Sequence, residues 1–375
     1  MHGDQPQGEH FRAFADTVQR DGGTTYATVS RAIADDNEVL SLLDGAPLMQ
    51  RRPLLLLAAV HFLLLSGSEH PLADFYDTVR LVRGRPVGDP PRGDVAAAFT
   101  DFCRTHRAEL ERLIATHSTQ TNEVGRCSSL LPGLCHVAAQ YGWEEPLSLL
   151  DLGTSAGLNL LFDDYAYTYR TEDGALRTAG ASGSAVVLEC AVRGELQWLP
   201  ELRLPRIAER VGLDLAPVDP SSDDAARWLL ACLWPDNLAR FGRLRAALAN
   251  VRASAHPPRL ERGDMLIDLP RVVAAMPGAG PLVVFHSWVA AYLTEDEQQA
   301  LAEHIGALDT RRPVHYLYAE SPYETPGLPT PPSPVPRTGP DLATALVHVG
   351  PDGGTAVRLA DTHPHGYWIR WWPRP

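Results

Sequence analysis

The sequence predicts an α/β protein, a mostly parallel β-sheet covered by helices, preceded by an all-helical region. Three observations predict it. Residues 9 to about 142 place apolar side chains at three- and four-residue spacing, the helical period. From Leu147 onward, short aliphatic runs alternate with amphipathic stretches, which is the pattern of a parallel sheet with covering helices. Near the end, "ATALVHVG" and "TAVRLAD" flank "PDGG", a hairpin turn signal that adds an antiparallel edge.

The helical region contains "HFRAFADTVQR", "YATVSRAIADDNEVLSLLDG", a Leu-rich run from Leu54, "VAAAFTDFCRTHRAELERLIATHS" and "NEVGRCSSLLPGLCHVAAQYG". Gly-Pro clusters such as "VRGRPVGDPPRGD" separate them. The stretch "RRPLLLLAAVHFLLLSG" is the most membrane-like, but its apolar run falls short of the ~20 residues a spanning helix needs and His61 interrupts it, so a buried helix is expected. In the second region the strand candidates are "LSLLDLG", "RVGLDLAP", "RLERGD", "PLVVFHS" and "PVHYLYAE", with "SSDDAARWLLACLW" and "EDEQQALAEHIGAL" as helices between them. Residues 165–200 read as an inserted β hairpin, with "YAYTYR", a turn at "TEDGA" and then "AVVLECAVRGE". The Pro-rich segment 321–340 stands where a last crossover helix is expected, and reads as a surface loop or a lid. The expected division is a helical domain over 1–142 and a sheet domain over 143–375.

Composition narrows the function. At 375 residues and 45% hydrophobic content the chain buries a substantial core. A formal charge of -13 offers little attraction to nucleic acid or an anionic membrane, which leaves a small-molecule substrate as the expected partner. Five scattered cysteines without a C-x-x-C pair argue against a disulfide framework and a thiolate metal site. "MHGDQPQGEHFRAF" has neither the positive nor the apolar region of a secretory signal, so a cytoplasmic protein is expected.

The chemistry concentrates at predicted strand ends. In "LLDLGTSAGLN" a strand ends at Asp151 and opens through Gly153, Ser155 and Gly157 into an expected helix, an arrangement that lets a ligand approach the backbone. Asp214 ends the next core strand, where a carboxylate can accept from ribose hydroxyls, or cap a helix. Asp264 ends a third, where an acid can accept from an adenine amino group. Ligands of open α/β sheets bind at this edge, where strand order reverses.

These residues resemble the class I S-adenosylmethionine-dependent methyltransferases over 147–319: "LLDLGTSAG" is similar to their first motif, "GLDLAP" to the second, "RGDMLIDLP" to the third and "LVVFHSWVAAYLTEDE" to the fourth. The whole chain resembles a mainly actinobacterial family of unknown function, DUF2332, with "TNEVGRC" before a Rossmann-like part and "DLGTSAGLNLLFD" opening it. The resemblance implies S-adenosylmethionine as cofactor, with Asp151 and Gly153 at its methionine end, Asp214 at its ribose, and Asp264 with Met265 at its adenine. It also puts Ser155 and Gly157 in the cofactor loop and His286 beside the transferring methyl. Ser155 departs from the usual middle glycine: its Cβ narrows the approach, while its hydroxyl can donate to the cofactor carboxylate.

His286 is the candidate general base, since an imidazole removes a proton near neutrality; the other reading is a satisfied structural histidine. Trp288 offers a π face to a sulfonium or packs in the core. Thr121 or Asn122 can cap a helix that Glu123 opens; alternatively Asn122 and Arg126, one turn apart, face the crevice and Arg126 forks a carboxylate. The Tyr165, Tyr167 and Tyr169 row closes over substrate or packs a half-buried sheet. "THPHGYW" has two histidines without a third ligand, so no metal is expected. The leading expectation is methyl transfer to a small molecule. The alternatives are cyclisation of the cofactor's own aminobutyrate chain with release of methylthioadenosine, a non-catalytic binding module on this fold, and an NAD-dependent oxidoreductase, which Ser155 disfavours.

Overall fold

The computed structural model describes residues 7–88, 91, 93–278, 280–335, 343–351 and 353–373. The chain falls into two compact units, Met1–Asn122 with Asp219–Arg245, and Glu123–Val218 with Ala246–Pro375. This differs from a boundary at 142 in two places: residues 123–142 go with the sheet, and 219–245 go with the helices.

The first unit holds α1 (Gln7–Arg20), α2 (Thr24–Ile33), α3 (Asn37–Leu40), α4 (Pro53–Leu65), α5 (Asp77–Val82), α6 (Val95–Thr105), α7 (Arg107–Thr116) and, from the later segment, α9 (Asp223–Ala231). α4 is the Leu-rich run. Pro53 suits its first turn, where no intrahelical N–H is needed, and its apolar side chains are buried nearly all round, as expected of a central helix. Around it pack Phe11, Tyr26, Phe99, Phe102, Ile114 and Trp228. "SSDDAARWLLACLW", expected to cover the sheet, forms α9 and packs on α4 instead; Trp228 meets Phe62 at 5.8 Å between ring centroids. Among the described residues no helix is long and apolar enough to cross a membrane.

His61 makes that core sensitive to acid. It is fully buried; Nδ1 lies 3.1 Å from the Ala231 carbonyl and 3.2 Å from that of Leu233, while Nε2 lies 2.8 Å from the Thr78 hydroxyl. The neutral ring satisfies all three by donating at Nδ1 and accepting at Nε2. Burial lowers its pKa from 6.5 to about 4. A depressed histidine stabilises the fold above its unfolded value and loses that contribution as pH falls toward its folded one. Acidification from pH 6.5 to about 4 is therefore expected to cost about 3 kcal/mol from this residue. Urea unfolding at several pH values should show the slope flattened in His61→Gln.

The second unit contains α8 (Cys127–Ala139), α11 (Leu269–Ala274), α12 (Glu295–Gly306) and all the strands, while α10 (Leu238–Ala253) runs across the division. The strands are β1 (Leu147–Leu152), β2 (Ala166–Thr171), β3 (Leu176–Gly180), β4 (Val187–Val192), β5 (Ile207–Asp214), β6 (Arg259–Arg262), β7 (Leu282–Ser287), β8 (Val314–Glu320), β9 (Thr344–Val349), β10 (Ala356–Thr362) and β11 (Trp368–Trp371). They form one 11-stranded sheet in the order β3-β2-β4-β11-β10-β9-β8-β7-β1-β5-β6. The block β6-β5-β1-β7-β8 is wholly parallel and Rossmann-like. β1 pairs with β5 on one side and β7 on the other, so strand order reverses at β1. All six β1 residues are buried, as a strand covered on both faces requires. Leu150, Leu152, Val211, Leu213, Val284 and Tyr318 share one core with residues of α11 and α12.

Two expectations about the sheet are corrected. The β9–β10 hairpin is not an edge: β11 continues the sheet beyond it, and β4, β2 and β3 follow. β2 forms its hairpin with β3, and β4 then returns to lie parallel on the other side of β2. The described part of the Pro-rich segment is a surface loop, one of the two readings expected of it, held down along its length. Buried Gln298 holds it by donating to the Glu324 carbonyl (3.1 Å) and accepting from Gly327 N (3.0 Å), and further along Ser333 donates to Asp361 at 2.8 Å. Residues 336–340 of that expectation lie outside the described residues.

Candidate functional site

The carboxyl end of β1 carries Asp151, which is 3% exposed and accepts a 2.8 Å hydrogen bond from Thr154 Oγ1. Burial pushes its pKa up to about 7, with Asp214 adding to the rise and the Thr154 bond and Arg126 opposing it. A buried carboxylate poised near neutrality is a group whose charged form a cation would stabilise.

The turn that follows bends through three left-handed residues, Gly153 (φ 69°), Ser155 (φ 52°) and Gly157 (φ 71°). Asp214 at the end of β5 pins it: Oδ2 accepts from Ser155 N and Oδ1 from Ala216 N, both at 2.8 Å. Val218 N closes the link on the Ser155 carbonyl at 3.0 Å. Asp214 thus joins the exits of β1 and β5 on the side of β1 where they pair.

Two expectations for this turn are corrected. A Cβ on Gly153 would lie 2.4 Å from Val289 Cγ2, and one on Gly157 would lie 2.8 Å from Pro258, so the chain's own side chains occupy the space these glycines open. The segment beyond is a seven-residue 3-10 helix, Leu158–Asp164, in place of an α-helix. Its carbonyls at Leu158 and Phe162 accept from Tyr165 (2.7 Å) and Tyr167 (2.5 Å), and Tyr169 bonds the Ser128 carbonyl at 2.8 Å. All three tyrosines are buried, which makes that row a packing feature.

Ser155 gives a local test. A left-handed Ser carries a strain of roughly 1–2 kcal/mol, part of which Gly gives back as chain entropy. Ser155→Gly is expected to raise stability by up to about 1 kcal/mol and to leave ligand affinity unchanged, because the bond to Asp214 comes from the backbone. Thermal melting and calorimetry check both.

At the end of β6, Gly263 N donates to the Asp214 carbonyl at 3.0 Å and Asp264 Oδ1 accepts from Leu266 N at 2.8 Å. Met265, expected at an adenine, is 8% exposed and belongs to the core of Leu152, Leu213 and Val272. Its apolar neighbours are the accessible ones: Ile267 is 76% exposed and Leu215, just after Asp214, is 66% exposed. Leu215 carries a signal in the sequence, an aliphatic directly after a strand-end acid, whereas Ile267, three residues beyond Asp264, carries none.

At the end of β7, His286 is fully buried; Nδ1 is 2.7 Å from Glu320 Oε1 and Nε2 is 2.7 Å from Tyr316 OH. The Glu320 carboxylate accepts from Nδ1–H, and the Tyr316 hydroxyl, which burial keeps protonated, engages Nε2. Neither nitrogen is left to take a proton from an attacking group, and the general-base expectation for His286 is corrected to a structural one. Glu320 Oε1 also accepts from Val289 N (2.9 Å) and Ala290 N (3.2 Å), fixing the loop that covers Gly153. Trp288 is held in a left-handed conformation (φ 57°), with Nε1 donating to Thr344 Oγ1 at 3.0 Å.

"TNEVGRC" folds as a 3-10 turn, Val124–Arg126, capped by Glu123, whose Oε1 accepts from Gly125 N at 3.0 Å. Asn122 and Arg126 therefore share no helix face. Arg126, 9% exposed, donates from Nη1 to the Ser287 carbonyl (2.9 Å) and from Nε to the Pro364 carbonyl (3.2 Å), so two of its donors grip backbone. Asn122 closes the first unit, 8% exposed, with Nδ2 lacking a hydrogen-bond partner among the described residues. Within the second unit the structure brings together Asp151, Ser155, Asp214 and Arg126, with Asp264 one strand away. Among the described residues no cluster of His, Cys, Asp and Glu could hold a metal ion.

A profile of the family described as "Uncharacterized protein conserved in bacteria (DUF2332)" matches residues 8–371. No curated protein matches the chain. Among solved structures, it is similar to magnesium protoporphyrin IX methyltransferase (ChlM) from Synechocystis PCC 6803 with bound SAM, at 15% identity over 60% of this chain and 72% of that one, with a TM-score of 0.23. DesVI of Streptomyces venezuelae is similar at 14% identity, over 66% of this chain and 75% of that one, also with a TM-score of 0.23. Likeness at this level assigns neither activity nor substrate.

Proposed function

The chain belongs to the DUF2332 family, and from that footing we propose that it binds S-adenosylmethionine across the carboxyl ends of β1, β5 and β6 and transfers its methyl group to a small-molecule acceptor. The observation that carries this reading is the buried Asp151 carboxylate beside the Asp214-pinned turn, at the point where strand order reverses. The acids supply acceptors of the kind the cofactor needs. Asp151 suits its cationic methionine end, Asp214 and Asp264 are acceptors for ribose and adenine, and Leu215 and Ile267 present aliphatic surface for a base to cover. The Val289 and Pro258 side chains leave no cradle at the glycines, so binding rests on the acids and these aliphatics.

When bound, the cofactor supplies an electrophilic methyl on a sulfonium. This chain's contribution is position: Asp214 holds the turn, Glu320 holds the 287–290 loop, and Arg126 ties that loop's start to the β10–β11 turn. Calorimetry of the purified protein with S-adenosylmethionine tests the reading, and absence of binding overturns it. Asp214→Ala is expected to weaken binding by more than about 100-fold, since it removes a ribose acceptor and frees both turns at once. Product analysis separates the reactions. Adenosylhomocysteine formed with cell extract denotes methyl transfer, methylthioadenosine without acceptor denotes cyclisation, and binding without either denotes a binding module.

A further inference from the structure

The β10–β11 turn brings a second histidine to the same edge, and its placement is tightly fixed. Gly125 and Gly366 meet backbone to backbone: a Cβ on Gly366 would lie 1.8 Å from the Gly125 carbonyl oxygen, and one on Gly125 would lie 2.4 Å from that of His365. Ser128 Oγ bonds both the Gly125 and Gly366 carbonyls, at 2.8 and 2.7 Å. His365 N donates to His363 Nδ1 at 3.0 Å, and Arg126 Nε holds the Pro364 carbonyl. The same Arg126 reaches Ser287 at the end of β7 and acts electrostatically on Asp151. His365 therefore stands at the carboxyl edge of the sheet, its turn tied through one guanidinium to the end of β7.

Its chemistry differs from that of His286. The His365 side chain is 32% exposed, with Nδ1 turned inward 3.8 Å from Oε2 of Glu123, itself only 3% exposed. The other Glu123 oxygen is held by Gly125 N, so the carboxylate cannot swing away without losing its cap. A buried carboxylate at ion-pair distance from the inward nitrogen of a partly exposed ring is an arrangement that a small closure turns into the hydrogen bond that orients an imidazole for proton transfer.

We propose that His365 is the general base of the reaction, with Glu123 as its positioning residue, acting on an acceptor that carries an ionisable O–H or N–H. This rests on the S-adenosylmethionine reading above. Nε2 takes the acceptor's proton as the acceptor's electron pair forms the bond to the methyl carbon. The carbon–sulfur bond pair leaves with sulfur, yielding a neutral thioether, a methylated acceptor and an imidazolium that returns its proton to water.

The test separates the two readings. Calorimetry with S-adenosylmethionine comes first, and a parent protein that fails to bind removes the cofactor reading and this inference with it. In a binding-competent protein, adenosylhomocysteine formation is followed in a deproteinised bacterial extract. His365→Ala is expected to keep the parent Kd within about threefold while turning over about 100-fold more slowly or less, with recovery on adding imidazole. Glu123→Gln, which keeps the cap oxygen, is expected to lower kcat about tenfold with Kd and melting temperature unchanged. Turnover of His365→Ala within twofold of the parent overturns the proposal and leaves the cofactor reading standing. Where the extract yields no product, carbethoxylation by diethyl pyrocarbonate decides. Saturating S-adenosylmethionine should slow modification of His365, and unchanged modification in the bound state overturns the assignment.

Discussion

Asp151→Asn is expected to abolish measurable S-adenosylmethionine binding and, at the same time, to make the protein more stable above neutral pH. Both effects come from one buried carboxyl group. Its pKa is raised from 3.8 to about 7, so the folded state holds a proton that the unfolded chain has released across that window. Stability from this residue is present below pH 3.8 and is lost as pH rises through about 7; at pH 8 the ionised carboxylate costs about 4 kcal/mol. Asn carries no charge, and its amide oxygen still accepts from Thr154. The melting temperature of the variant should exceed the parent's at pH 8 and match it near pH 4. Binding should move the other way, because only the carboxylate attracts the cofactor's cationic end. Parent affinity is expected to rise with pH up to about 7, with proton release on binding seen as a buffer-dependent calorimetric enthalpy. An Asn variant that binds like the parent would take Asp151 out of the site.

Glu320→Ala is expected to be among the most damaging single changes in the sheet unit. The Glu320 carboxylate is 1% exposed and one of its oxygens satisfies the His286 ring and the Val289 and Ala290 amides. Removing it strands a buried donor on the ring and two on the backbone, a loss of about 3–5 kcal/mol by comparison with other broken buried pairs. The consequence extends to the site, because Val289 covers Gly153 and Trp288 beside it is strained. Without its anchors that loop has a reason to relax. Chemical denaturation measures the first effect. Glu320→Gln, whose amide oxygen can still accept from the ring and from the two amides, is expected to be less harmful than Glu320→Ala.

Much of this was legible from local pattern. β1, β5, β7 and β8 announce themselves as aliphatic runs, and α4 as an apolar stretch too short for a membrane, because burial on all sides writes itself directly into composition. The strand-end acids Asp151, Asp214 and Asp264 follow from those strands. What escaped depends on partners distant in the chain. α9 has the same period whether it covers a sheet or packs on α4, so periodicity could not place it. β11 is four residues of Trp, Ile and Arg without alternation, and it reads as a strand only beside β10 and β4. His286 sits at a strand end in either reading, and only Glu320 and Tyr316 reveal that the ring faces inward. The clasp of "TNEVGRC" on "THPHGYW" spans 238 residues between Arg126 and Pro364, and no spacing within either motif announces it.

The position of β11 governs how the molecule must be assembled. It is the last described strand along the chain, yet it lies inside the sheet between β10 and β4. On the ribosome, the β2–β3–β4 ribbon emerges early with one flank unpaired, and waits there through synthesis of everything up to Trp368. An unpaired strand flank is a template for the wrong partner. Nascent chains stalled before Trp368 should therefore aggregate or recruit chaperones, and the completed polypeptide should fold slowly, limited by the distance over which its final pairing must be found.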